Sequence, residues 1–181
     1  MLFNGGTFGL FRKNRIEANR PVSRPEMAPA DWLIEAVALL GMMFFAGYVL
    51  YNFPHLPDRI PTHFNEAGKA DDYGDKFTFL ILPGVALFIY ALLTLINRVP
   101  HIFNFPVNIT PANALHQYTL ATRLVRTLKT AIIWLFWYIS YSTIIVARDS
   151  SKGLGIWFLP LTLSLVFIPI IVYFIAAKKR G

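Results

Sequence analysis

Four stretches of the chain carry apolar side chains almost without interruption, and the polar residues gather between them. Ala36 to Tyr51 contains no charged residue and predicts a first span over about 33–53, with Asp31 as its N-cap and Glu35 in the first turn, where the helix dipole favours a carboxylate. Phe77 to Ile96 is a run of twenty uncharged residues, and Thr130 to Ala147 a run of eighteen. Ile156 to Ala177 adds twenty-two more, interrupted by Pro160 and Pro169. Each approaches the ~20 residues that cross ~30 Å of hydrocarbon. The two prolines predict a kink in the fourth helix, or carbonyls released to neighbouring side chains. No stripe of small residues at four-residue spacing marks which helices pair.

Composition agrees with the pattern. Of 181 residues, 55% are hydrophobic and only 15% charged, against about 25% charged in an ordinary soluble domain. The predicted fold is therefore an all-α integral membrane protein with four transmembrane helices. Basic residues set its orientation. Five of the 17 lie in the tail 1–30, four in the loop 97–129 and three at the C-terminus, whereas the other two loops hold five between them. Twelve against five places both termini in the cytoplasm under the positive-inside rule. Five of the ten acidic residues fall between Asp58 and Asp75, on the opposite side. The chain divides into a basic tail (1–30), a membrane domain (31–177) and a basic end (178–181). With no cysteine, disulfides and thiolate metal sites are excluded.

The tail joins Leu2, Phe3, Phe8, Leu10 and Phe11 to a basic stretch. A signal peptide has the reverse order, so cleavage is not expected. The tail reads either as disordered or as an aromatic start that docks on a partner or on the membrane interface. In the cytoplasmic loop, Thr110-Pro111 is a helix start. From there Tyr118, Leu120, Ala121, Leu124, Val125 and Leu128 form one arc, while His116, Thr119, Arg123 and Arg126 form the other. This predicts an amphipathic helix at the headgroup boundary before the third span, its basic arc either an ordinary anchor or a contact for anionic lipid or an acidic partner. Upstream, Val99 to Val107 is too rich in proline for a helix and is expected to fold against the membrane face.

The external loop, Asn52 to Lys76, holds the candidate chemistry. Asn65-Glu66-Ala67-Gly68 and Asp71-Asp72-Tyr73-Gly74 both fit type I turns. Ile60 to Phe64 is then a short strand pairing with Lys69 to Asp71, which makes the loop a compact cap stiffened by Pro54, Pro57 and Pro61. His55 and His63 stand among five carboxylates, a set suited to a divalent metal such as zinc or to general acid–base work. His63, Asp71 and Asp72 are the candidate ligands. The opposing reading is that the acids are solvated turn residues, with no cofactor at all. No charged residue is expected inside the spans, which argues against an ion pathway.

Leu56-Pro57, then Ile60-Pro61-x-His63-Phe64-Asn65-x-x-Gly68, then Asp71 or Asp72, Gly74 and Lys76, resembles the membrane domain called domain-of-unknown-function family 1648. The Asn-Phe-Pro within Asn97 to Pro106 is also similar to the segment after the second span in that family. The resemblance covers roughly the first hundred residues. It implies a multi-pass protein of a prokaryotic plasma (inner) membrane whose outer loop is the family signature. The domain is best known at the N-terminus of a bacterial immunity and signalling protein that sequesters a repressor at the membrane, from which this chain departs in having four spans. No reaction is implied.

These readings support three functions. The first is a non-enzymatic protein acting by contact, whether regulatory, sensory, immunity-like or an accessory subunit. It would recognise an external partner through the cap and an internal one through Arg123 and Arg126. The second is a metal-dependent enzyme or metal-binding protein using the external loop. The third is a small transporter with the proline-broken helix at its path. Membrane lipid and protein are the expected partners, with homo-oligomers allowed and nucleic acid not expected.

Overall fold

The computed structural model describes residues 20–179, and its element order is helix, hairpin, then three helices. Helix α1 spans Pro29–Asn52, strands β1 and β2 span Arg59–Phe64 and Ala70–Asp75, α2 spans Ile81–Ile96, α3 spans Ala114–Arg148 and α4 spans Phe158–Lys179. Short 3₁₀ turns at Phe53–His55 and Lys76–Leu80 join the hairpin to α1 and α2. All four helices are long and apolar enough to cross a membrane, the second when its leading 3₁₀ turn is included. The aromatic start of the tail lies outside the described residues.

Helix α1 begins earlier than its apolar run predicts. Pro29, whose fixed φ suits a first helical position, opens the helix, so Asp31 is its third residue rather than its cap. The Asp31 carboxylate reaches back to accept the backbone N–H of Ala28 at 3.0 Å. One face of α1, carrying Ala38, Met42, Phe45 and Val49, packs with Ala86 of α2 and Ile133 and Ile144 of α3 into the main core. Gly41 admits the Trp134 ring, since a Cβ there would stand 2.9 Å from its Nε1.

Helix α3 is the centre of the molecule, packed against each of the other three, whereas α1 and α4 barely meet. It is one continuous helix of 35 residues rather than an interfacial helix leading into a separate span. At 1.5 Å per residue it is ~52 Å long, so it must protrude well beyond ~30 Å of hydrocarbon. The expected cap at Thr110 is displaced: a turn opens there, the Thr110 N–H donating to Asn113 Oδ1 at 2.8 Å, and the regular helix starts at Ala114 with Asn113 at its N-cap and no side-chain cap bond.

The inward face of this first half differs from the expected apolar arc. Tyr118 and Ala121 are buried, but so are Gln117, Thr122, Arg126 and Lys129, whereas Leu120, Leu124, Val125 and Leu128 are only half-buried. Leu120 and Leu124 pack beside Ala121 against α4, while Arg126 and Lys129 turn to α1. The helix therefore buries polar and apolar residues together instead of segregating them.

Val99 to Val107 holds a single 3₁₀ turn at Pro100–Ile102, and Phe103 and Phe105 beyond it pack on α3 and α4 near Ala121, Tyr173 and Ala177. Arg20 pins the entering chain to this segment, donating to the carbonyls of Phe103 at 2.8 Å and His101 at 3.2 Å. Helix α4 runs unbroken through Pro169 and leaves most of its surface bare.

Candidate functional site

Two polar constellations stand at opposite ends of the bundle: the hairpin at one, and a cluster of charges at the end where the helices lead to the chain termini.

In the hairpin, β1 and β2 run antiparallel with Arg59 opposite Asp75, Ile60 opposite Gly74, and His63 opposite Asp72, and the register shifts on both sides of His63. The first turn forms as the sequence predicts. Asn65 Oδ1 accepts the N–H groups of Ala67 and Lys69 at 3.0 and 3.1 Å, and Gly68 closes the turn at φ +73°, a conformation that favours glycine. The second predicted turn, Asp71 to Gly74, is instead part of β2. Gly74 serves close packing there, because a Cβ would meet Thr62 Cγ2 at 2.8 Å. Local turn propensity yields to cross-strand pairing.

The signature residues fall into two groups. Ile60 and Pro61 are buried beneath the hairpin, and Phe64 is half-buried. Lys76 closes the base of the hairpin, its Nζ 3.0 Å from Asp58 Oδ1, while Asp75 accepts the Phe77 N–H and starts the turn into α2. Gly68 docks the tip: its carbonyl accepts the Leu154 N–H at 2.8 Å, and the Leu154 carbonyl in turn accepts the Tyr138 hydroxyl at 2.8 Å. Gly153 permits that approach, since a Cβ there would collide with the Gly68 carbonyl. Gly153, Leu154 and Tyr138 carry no signal in the sequence, because their partner lies more than 60 residues away.

The second group faces outward. Pro57, His63, Asp71 and Asp72 are exposed. His63 Nδ1 lies 2.6 Å from Asp71 Oδ1, a bond in which the imidazole N–H donates to the carboxylate. Asp72 turns instead to the N–H of Tyr73. Of the three candidate ligands the fold thus pairs two and directs the third elsewhere, and among the described residues no three His, Cys, Asp or Glu side chains gather to share an ion. Beneath the hairpin a cavity of about 460 Å³ is lined by Ile60, His63, Phe79, Leu82, Leu154 and Phe158 among others.

The opposite constellation was not expected inside the bundle. Arg123 holds Asp31 in a two-pronged ion pair, Nε to Oδ1 at 2.7 Å and Nη2 to Oδ2 at 3.0 Å. Arg126 stands 3.3 Å from Glu35 and 3.9 Å from Asp31. Lys129 is fully buried and donates to Glu35 at 2.6 Å and to Thr94 at 2.9 Å, with its ammonium 4.7 Å from the centre of the Tyr90 ring. These charges lie at or just before the starts of the predicted first and third spans. Arg123 and Arg126 are engaged with α1 rather than forming a free basic arc. An ionised group at the edge of the hydrocarbon is stable only when paired, and α1 supplies both carboxylates.

Residues 38–87 match the model of the family described as Domain of unknown function (DUF1648), the segment that runs from the core of α1 through the hairpin into α2. An uncharacterized protein of Archaeoglobus fulgidus is 37% identical over 79 residues, which cover 39% of this chain and 40% of that protein. The chain therefore spans less than half the length of this relative. No solved structure matches.

Proposed function

We propose that this membrane protein, with its domain of unknown function, acts by contact through the outer face of the hairpin, as a regulatory, sensory or immunity-like protein or as an accessory subunit of a membrane complex. One observation carries the reading: the hairpin is held as a fixed body from beneath while its outer face remains uncommitted. Lys76, Asp75 and Gly68 tie its base and tip to the helices. Thr62, Glu66, Lys69 and Asp72 are exposed, and among the described residues none of their side chains bonds to another element. A rigid polar surface loses little conformational entropy on binding, which favours recognition. At the other end both carboxylates of α1 are matched by Arg123, Arg126 and Lys129, so the protein contact surface is assigned to the hairpin rather than to Arg123 and Arg126. The charge count puts that surface outside the cell, and both the resemblance and the archaeal relative favour a prokaryotic plasma membrane.

The test is purification of the full chain from its native membrane in mild detergent, with mass spectrometry of the proteins retained. A stoichiometric partner is expected with the native chain. It should be lost when Glu66, Lys69 and Asp72 are replaced together by Ser, a change that leaves the docking bonds intact. A partner retained equally by both chains, or no partner with either, would sink the reading.

A further inference from the structure

Because α1 and α4 both lean on α3 and barely meet, a groove of about 660 Å³ opens between them. Its walls are apolar, among them Leu33, Val37, Ala131, Trp134, Leu165 and Ile168. The hydroxyls that reach it are already satisfied: Thr127 donates to the carbonyl of Arg123, Thr130 to that of Arg126 and Ser164 to that of Pro160. A partner helix would use small residues and polar bonds at its seat. This groove presents large aliphatic rims and no charged side chain along its lining, which suits a hydrocarbon chain.

The lower end of the groove supplies the second observation. Arg123, Thr127, Ala131 and Trp134 succeed one another at four, eight and eleven residues on a single stripe of α3. Arg123 thus sits ~6 Å below Thr127 and ~16 Å below Trp134 along the axis, at the mouth where the groove meets the headgroup level. Its side chain is 41% exposed, and its Nη1 makes no bond among the described residues. The cluster behind it sets three cations, Arg123, Arg126 and Lys129, against two carboxylates, Asp31 and Glu35. One positive charge is left over, and it is accessible only at the Arg123 edge.

We propose that the groove between α1 and α4 holds a hydrocarbon chain of one anionic phospholipid, whose phosphate rests against Arg123. The lipid would come from the leaflet on the side of the termini. It would fill the gap between α4 and α1, and it would neutralise the surplus charge of the cluster. The proposal is independent of the contact reading.

The full chain is reconstituted in nanodiscs of mixed phosphatidylglycerol and phosphatidylcholine, and retained lipid is counted by native mass spectrometry after transfer to detergent. One phosphatidylglycerol per chain is expected, preferred over phosphatidylcholine about fivefold, the factor that one basic residue near a membrane surface contributes. Arg123→Gln should abolish the preference. Because that change also strands Asp31, Ala131→Leu provides the decisive variant: it fills the groove, leaves the cluster intact, and should remove the bound lipid without unfolding the protein. Excess inorganic phosphate should not displace the lipid. Retention of neither lipid, equal retention of both, or displacement by phosphate would overturn the proposal. So would a native mass of twice the chain that Ala131→Leu returns to one, which would assign the groove to a second copy.

Discussion

The two ends of this bundle solve the same problem, holding polar groups beside hydrocarbon, by different means. At the hairpin end the polar groups are satisfied locally. Asn65 bonds within its own turn, Lys76 reaches Asp58 eighteen residues away, and His63 reaches Asp71 across the strands. Water surrounds these pairs, and each contributes little. At the other end the partners are more than ninety residues apart: Arg123 with Asp31 and Lys129 with Glu35. Asp31 and Lys129 are shielded from water in those pairs, so breaking one leaves a charge with little solvent to take it up. Single substitutions at the charged cluster should therefore be far more costly than those at the hairpin, although the hairpin lies within the segment that the family model matches.

The most severe test of this contrast is Lys129→Met. It should break the buried pair and leave Glu35 with Arg126 alone, at a cost of about 3–5 kcal/mol. In detergent this should appear as a fall of roughly 10 °C in the unfolding midpoint. Adding Glu35→Leu should recover most of the loss, because a matched apolar pair replaces an ion pair without leaving a charge behind. Failure of the double variant to recover would mean that the cluster is not held by pairing.

Next in size is the docking of the hairpin tip. Gly153→Ala forces a Cβ against the Gly68 carbonyl and should cost about 1–3 kcal/mol. The damage should be confined to the hairpin, seen as faster proteolysis near Gly68 with the helical signal unchanged. A midpoint as low as that of Lys129→Met would place the hairpin on the same footing as the cluster and erase the contrast. Tyr138→Phe removes a single bond to Leu154 in the same relay and should cost about 1 kcal/mol. At the bottom of the scale, His63→Ala breaks an exposed pair and should change stability by under about 1 kcal/mol. A larger loss would show that His63 holds the hairpin together rather than facing outward as a recognition residue.

The legibility of each feature depends on the range of the interaction behind it. The Asn65–Gly68 turn is written in residues three apart, and it forms. Asp71–Gly74 satisfies the same local rule, yet lies in a strand because β1 offers it a ladder. Asp31 reads as a cap from its own neighbourhood, but Pro29 starts the helix sooner and frees the carboxylate for both Ala28 and Arg123. The docking of Gly68 on Leu154 had no local sign at all.

Contiguous residues were enough to set the membrane class, the four spans and the hairpin between the first two, because hydrocarbon thickness and turn chemistry act along the chain. The inward face of each helix had to await the packing. Lipid is as apolar as a protein core, so periodicity in a spanning helix does not distinguish the two environments. On α3 that ambiguity concealed an inner face that buries Arg126 and Lys129 against the carboxylates of α1. Only the packing of α1 on α3 brings those charges within bonding distance.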